Sequence, residues 1–282
     1  MRKFIKFLRK LKRMILFLRK CYIDGGVTSV NIAQVNYGGI LKDKKILITG
    51  GSSGIGFAIA KKAISEGAKV VITGRVQEKL ERAKLEINSQ NLEIIQWDAS
   101  DVSIRHEKLE QVEGILNGSI DILVNNAGIL LDQNFFTVKE DIWDSTYEVN
   151  SKSVYFLCQA VSNKWIKNKH KGKIINLSST SGFYGASIPY GMTKWDIAGL
   201  TEGLGKKLSE KGIIVNGIAP GRTATAMLKK EDSNNLYDYK TSAKRYGLPE
   251  EIAELATFLM SDASNFIVGQ TIVCDGGYIL KV

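Results

Sequence analysis

The chain has 282 residues, the length of one large domain, and 44% of them are hydrophobic, enough for a substantial core. Its 9% aromatic share and 3 prolines exclude a disordered or collagen-like polymer. The net charge of +10 invites a nucleic-acid partner, but the first 20 residues hold nine basic side chains and no acid, leaving 30 basic against 29 acidic elsewhere.

The basic stretch comes first. At 100° per residue, Phe4, Phe7, Leu8, Leu11, Met14, Ile15 and Leu18 fall in one arc, and the basic residues lie opposite. Ile5, Leu16 and Phe17 leave the pattern. The composition predicts a helix over 1–20 that lies on an anionic membrane surface at the cytoplasmic face. Packing on its own domain or a sister subunit, or a disordered tail, are the other readings. No 18-residue apolar run occurs, and Met14 to Leu18 is too short for a signal-peptide core. Residues 21–42 read as a polar connector with weak alternation at Val30, Ile32 and Val35, and turns at Gly25-Gly26 and Gly38-Gly39. Cys21, Cys158 and Cys274 lie far apart and His106 and His170 are the only histidines, so neither a disulfide scaffold nor a metal site is expected, and the cytoplasm is the simplest compartment.

From residue 43 the pattern is strand and helix in alternation. Strands are predicted at Ile46–Ile48, Val70–Ile72, Ile94–Ile95, Ile122–Val124, Ile174–Leu177 and Ile213–Val215, near-continuously apolar and separated by helical segments. This predicts an α/β fold, a doubly wound parallel sheet in a single domain over 43–282. Ligands in such sheets bind at the carboxyl ends of the strands. The first strand runs into Gly50-Gly51-Ser52-Ser53-Gly54-Ile55-Gly56 and then a helix, a setting that suits a pyrophosphate at the helix N-terminus. Gly50 allows the tight turn, Gly54 the close approach of phosphate, and Gly56 the close packing of helix on sheet. Further on, Tyr190 and Lys194 are four apart and share a helix face. A lysine cation there stabilises a phenolate, so the tyrosine can give or take a proton.

These motifs, with Asn125-Asn126-Ala127-Gly128, Ser178-Ser179, Pro220-Gly221 and Asp275-Gly276-Gly277 in that order, resemble the short-chain dehydrogenase/reductase family over about residues 43–280. The resemblance implies a Rossmann-like oxidoreductase moving a hydride between NAD(P) and a carbonyl or alcohol, usually as a homo-oligomer. It implies catalytic roles for Asn150, Ser179, Tyr190 and Lys194. Gly50, Ser52, Ser53, Gly54, Ile55, Gly56, Asp98, Ala99, Asn126, Ala127, Gly128, Pro220, Gly221, Thr223 and Thr225 would hold the cofactor together with Tyr190 and Lys194. Ser179 is preferred to Ser178 because it stands three residues before Gly182. From Ser179 to Tyr190 is eleven residues, about two fewer than the family's usual spacing, so the loop 183–189 should reshape the substrate pocket.

At the end of the second strand the place of a ribose-binding acid is taken by Gly74, and Arg75 follows. That favours NADP, with NAD possible; the alternative is that Arg75 is a solvent-facing cation. Residues 226–247, with Met227, Leu236, Tyr237, Tyr239 and Tyr246, fall where the family places its substrate lid. Those tyrosines could stack on a sugar or flat ring, or simply cover the domain. A 3-oxoacyl or a sugar and polyol substrate both suit the core motifs. A nucleotide-binding scaffold without turnover is the rival reading.

Overall fold

The computed structural model describes residues 2–24, 26, 30, 32–230 and 235–280, with the side chains of 2–5, 20, 21, 23 and 24 excepted. The expected turn at Gly25 and the side chain of Phe4 therefore lie outside the described residues. A long N-terminal helix, α1 (Arg2–Asp24), precedes the α/β body.

The body runs β1 (Lys45–Thr49), α2 (Gly54–Ser65), β2 (Lys69–Gly74), α3 (Gln77–Ile87), β3 (Leu92–Gln96), α4 (Arg105–Leu116), β4 (Ile122–Asn125) and α5 (Glu140–Tyr147). It continues through a π turn (Glu148–Lys152) into α6 (Ser153–Lys167), then β5 (Gly172–Leu177), α7 (Pro189–Leu208), β6 (Ile213–Pro220), α8 (Pro249–Met260) and β7 (Thr271–Cys274). All seven strands are parallel in the order β3-β2-β1-β4-β5-β6-β7. The expected doubly wound sheet is present as one domain. Strand order reverses between β1 and β4, where Thr49 aligns with Asn125, and a crevice must open beyond those ends.

The strands read as continuous apolar runs because both faces are covered. Alternate residues feed two cores. Ile46, Ile48, Val70, Ile72, Val124 and Ile175 pack on α2, α3 and α8 through Ile59, Ala63, Leu80 and Leu259. Leu47, Val71, Leu123, Ile174 and Val215 pack on α4, α6 and α7 through Val112, Leu157, Trp165 and Ile197. A seventh strand, not among those expected, closes the sheet at its edge: it is half-exposed, although its Ile272-Val273-Cys274 run is as apolar as the others.

The connector is tied to the body at its far end. The buried Glu66 accepts from the amides of Tyr37 and Gly39, both at 3.1 Å, and Leu41 is fully buried. The Gly38-Gly39 turn is present, with φ of +72° and +86°.

Candidate active site

A cavity of about 490 Å³ opens at the carboxyl ends of the strands, within the size range of small-molecule sites. The glycine turn after β1 forms one wall. Gly50 and Gly54 hold φ of +65° and +57°, a region that L side chains rarely adopt. A Cβ on Gly50 would stand 2.8 Å from the Ala127 Cα, and one on Gly56 would stand 2.4 Å from the Asn126 Nδ2. The two loops are cross-braced: Asn126 Nδ2 donates to the carbonyls of Thr49 and Gly50 at 3.1 and 2.8 Å. The amides of Asn126 and Ala127 both donate to Thr49 Oγ1 at 3.1 Å. The result is a bare backbone cradle that leaves the N-terminus of α2 at the cavity wall. Such a cradle fits a pyrophosphate, so the residues present fit a dinucleotide.

Beyond the cradle the wall passes to Gly74, Arg75 and Lys79, and then to Trp97, Asp98 and Ala99. Arg75 is exposed, and no ion pair of its side chain occurs among the described residues. Lys79 was not singled out in the sequence. Its position four residues after Arg75, in the first turn of α3, is the signal that could have found it. Asp98 accepts from the Ser100 amide and hydroxyl at 3.0 and 2.8 Å through one oxygen, Oδ1.

At the other end Ser179, Tyr190 and Lys194 come together. Pro189 starts α7, because a proline costs no hydrogen bond at a helix's first position, and Tyr190 follows in the first turn. The Tyr190 amide donates to Gln133 Oε1 at 2.9 Å, so Gln133, also unmarked by the sequence, braces this turn. Lys194 Nζ lies 5.6 Å from the centre of the Tyr190 ring and donates to the Leu177 carbonyl at 2.9 Å. Ser178 points elsewhere: its hydroxyl donates to the Lys194 carbonyl at 2.7 Å and is buried. Both serines line the cavity, but it is Ser179 whose side chain hydrogen-bonds with Tyr190.

Asn150 sits in the π turn between α5 and α6, a type of helix defect frequent at functional sites. Its Oδ1 accepts from the Ile129 amide at 2.8 Å and its Nδ2 donates to the Ile129 carbonyl at 2.9 Å. It does not line the cavity, and neither does Gly56; the remaining expected site residues do. Asn150 approaches Lys194 across Gly128, where a Cβ would be 3.4 Å from the Asn150 Oδ1 and 3.7 Å from Lys194 Nζ.

The electrostatics differ from the sequence expectation in one respect. Burial raises the Tyr190 phenol above its usual range, and a hydrogen bond with Ser179 only partly opposes this. Burial outweighs any lowering by Lys194, whose ammonium is turned to the Leu177 carbonyl and is itself destabilised: burial brings Lys194 down to about 8. The phenol therefore holds its proton at neutral pH in this state.

The segment 226–247 also differs from one of its readings. Tyr237 and Tyr246 are buried and cover the domain, and Tyr246 meets the Arg222 guanidinium, which also pairs with Asp238. None of Tyr237, Tyr239 and Tyr246 lines the cavity. Met227 and Leu228 do, as do Tyr184 and Tyr278, whose rings meet edge to face at 6.4 Å.

Comparison with known proteins gives the same assignment from an independent direction. Residues 44–236 match the family model described as short chain dehydrogenase. The 3-oxoacyl-acyl-carrier-protein reductase of Chlamydia trachomatis is 38% identical over 245 residues, covering 85% of this chain and 98% of that protein. The 5-keto-D-gluconate 5-reductase of Escherichia coli is 35% identical over 253 residues, covering 86% and 98%. A short-chain type dehydrogenase/reductase from Mycobacterium marinum superposes with a TM-score of 0.79 at 30% identity, covering 86% of this chain and 97% of its own.

Proposed function

Because this chain belongs to the short-chain dehydrogenase/reductase family and is an NAD(P)-dependent oxidoreductase, we propose that it reduces a carbonyl compound with NADPH, using Tyr190 as the proton donor. The observation that carries the reading is the convergence of Ser179, Tyr190 and Lys194 on a cavity whose opposite wall is the glycine cradle. Bound cofactor supplies the hydride. Everything else falls to the protein. Ser179 polarises the substrate oxygen by hydrogen bonding, and the Tyr190 hydroxyl, kept protonated by burial, gives that oxygen its proton. Lys194, whose ammonium lies over the Tyr190 ring, provides the positive charge that favours the phenolate left behind. Asn150 fixes the strand-end loop at Ile129 and so the distance between that loop and Lys194. In the oxidative direction Tyr190 takes the proton back.

Arg75 and Lys79 at the β2 end support NADP over NAD, since two cations there suit a 2′-phosphate. The substrate end is lined by Tyr184, Ile188, Met227, Leu228 and Tyr278, a mixed aromatic and aliphatic surface with two phenol hydroxyls. The relatives named for a 3-oxoacyl thioester and for a keto sugar acid set the substrate classes to try first. The enzyme works as a homo-oligomer in the cytoplasm.

The test is NADPH oxidation on 3-oxoacyl thioesters, keto sugar acids and simple ketones, by wild type and Tyr190→Phe. Turnover that Tyr190→Phe abolishes, with NADPH binding retained, supports the reading. Equal turnover by both proteins, or tight NADPH binding with no carbonyl reduced across the panel, overturns it in favour of a nucleotide-binding scaffold.

A further inference from the structure

The helix α1 is outside everything the family explains. The family match begins at residue 44, and the curated relatives are covered to 98% of their own lengths by only 85–86% of this chain. Yet α1 is a regular helix of 23 residues.

Its two faces are used differently. Phe17, one of the residues that leaves the apolar arc, is half-buried, and its ring lies 6.4 Å from that of Tyr237. This is where the helix meets the body. At 100° per residue the apolar arc is centred about 120° away from Phe17. Along that arc Phe7, Leu8, Met14, Ile15 and Leu18 are exposed, as is Tyr22, which extends the same arc by one turn. Apart from the half-buried Leu11, the arc is therefore open to solvent and is not covered by its own domain. On the opposite side Lys6, Arg9, Lys10, Lys12, Arg13 and Arg19 are exposed, and none has an acidic partner among the described residues. A helix this densely charged does not suit a membrane span, and no helix among the described residues is long and apolar enough to be one.

We propose that α1 docks on the surface of an anionic lipid bilayer, with the Phe7–Leu8–Met14–Ile15–Leu18 stripe in the headgroup and acyl boundary and the basic residues on lipid phosphates. Charge complementarity selects this occupant. Nine cations and no acid in 20 residues would repel the same helix of a second copy, whereas an anionic surface neutralises them. The apolar stripe selects a bilayer over a purely ionic partner such as nucleic acid, which would leave those side chains in water. Through Phe17 and Tyr237 the docked helix leans on the segment after β6. The Leu236 carbonyl in that segment accepts from the Tyr246 amide at 2.8 Å, and the Tyr246 hydroxyl meets Arg222 in the cavity wall.

The experiment is cosedimentation of the full chain with vesicles of phosphatidylcholine alone, or with about one third phosphatidylglycerol, at low salt and at about 0.5 M salt. It involves no turnover, so it stands or fails separately from the proposed reaction. Binding is expected only to the anionic vesicles, and weaker at high salt. Lys10→Glu with Arg13→Glu, and separately Leu8→Glu with Ile15→Glu, should each lower binding about ten-fold or more while leaving the folded body unchanged by circular dichroism. Failure to bind anionic vesicles overturns the proposal. So does equal binding to both vesicle types, or wild-type binding by both double variants. A fall in oligomer mass for Leu8→Glu with Ile15→Glu and no vesicle binding would instead make the stripe a contact between copies. Binding to duplex DNA without vesicle binding would make the helix a nucleic-acid arm.

Discussion

Lys194 Nζ donates to the carbonyl of Leu177 at 2.9 Å, so the buried ammonium is fixed to the end of β5 from the middle of α7. The bond holds the charge beside the Tyr190 ring, and burial makes the charge costly. Lys194 falls from an ordinary 10.5 to about 8. The unfolded chain binds the proton more tightly than the folded one between those values. Folding stability attributable to this group therefore rises as pH climbs from about 8 to 10.5, and the full penalty is present below about 8. Lys194→Met removes the penalty. It should stabilise the protein at pH 7 by roughly 1–3 kcal/mol while lowering carbonyl reduction about 10²–10⁴-fold. Thermal unfolding of both proteins at pH 7 and pH 10 checks this, and the difference in stability should shrink at the higher pH.

The same values set the pH dependence of turnover. On the proposed mechanism, reduction needs the Tyr190 proton, which burial retains, and the Lys194 charge, which is lost above about 8. The rate constant for reduction is therefore expected to be flat through neutrality and to fall on the alkaline side of about 8. A profile that instead rises through pH 8 to 9 would mean that a deprotonated group drives the step. The profile is measured at saturating cofactor, so that loss of binding does not imitate loss of chemistry.

Gly56 does not line the cavity, yet its lack of a side chain holds the cradle together. A Cβ there would be 2.4 Å from the Asn126 Nδ2 and 2.5 Å from the Gly50 carbonyl, groups that are bonded to each other at 2.8 Å. Gly56→Ala must push them apart. A loss of about 1–3 kcal/mol in chemical denaturation is expected, with weakened NADPH binding by calorimetry. Gly114 is the internal control: a Cβ there meets nothing within 4 Å, so Gly114→Ala in α4 should be neutral or slightly stabilising.

The cofactor end gives a discriminating prediction. Arg75 and Lys79 line the cavity beside Gly74, where an acid would repel a 2′-phosphate. Arg75→Ala with Lys79→Ala should raise the Kd for NADPH about ten-fold to a hundred-fold and leave that for NADH within about two-fold, since a charge-assisted bond contributes roughly 1.5–3 kcal/mol. Direct fluorescence titration with both nucleotides measures it. A parallel loss for both would place the cations outside the 2′ position.

Much of this arrangement was legible in the sequence for a physical reason. Doubly buried strands such as Ile46–Ile48 and Ile122–Val124 must be apolar throughout, and turns that approach a ligand must be glycine at Gly50 and Gly54, so composition records both. Parts that depend on the third dimension left no such record. The edge strand β7 has an apolar run, Ile272-Val273-Cys274, but nothing in it tells that the strand lies half-exposed at the sheet's edge. The π turn that presents Asn150 has the same side chains as ordinary helix. Gln133 braces Tyr190 from 57 residues away. The direction of the Tyr190 shift was also hidden, because a four-residue spacing fixes which groups share a face but says nothing of the burial that outweighs their charge.

The aromatic pair Tyr184 and Tyr278 supplies the last prediction. Tyr184 lies in the loop shortened before Pro189, and Tyr278 follows the Asp275-Gly276-Gly277 turn, so residues far apart in sequence close one side of the substrate end. Their rings meet at 6.4 Å and 70°, and Tyr184 is held by a 3.1 Å hydrogen bond between its hydroxyl and that of Ser181. Neither side chain touches Tyr190 in a way that would move its proton by hydrogen bonding, although the Tyr184 phenol adds to the rise in its pKa. A wall residue of this kind binds ground and transition states alike. Tyr278→Ala should therefore raise KM for the preferred carbonyl substrate about ten-fold, with kcat changed by no more than about two-fold and NADPH affinity unchanged. Tyr278→Phe separates shape from polarity: it keeps the ring and loses the hydroxyl. Recovery of KM in Tyr278→Phe would assign the wall to apolar packing, as for an acyl chain. A KM that stays as high as in Tyr278→Ala would assign it to hydroxyl contacts, as for a sugar.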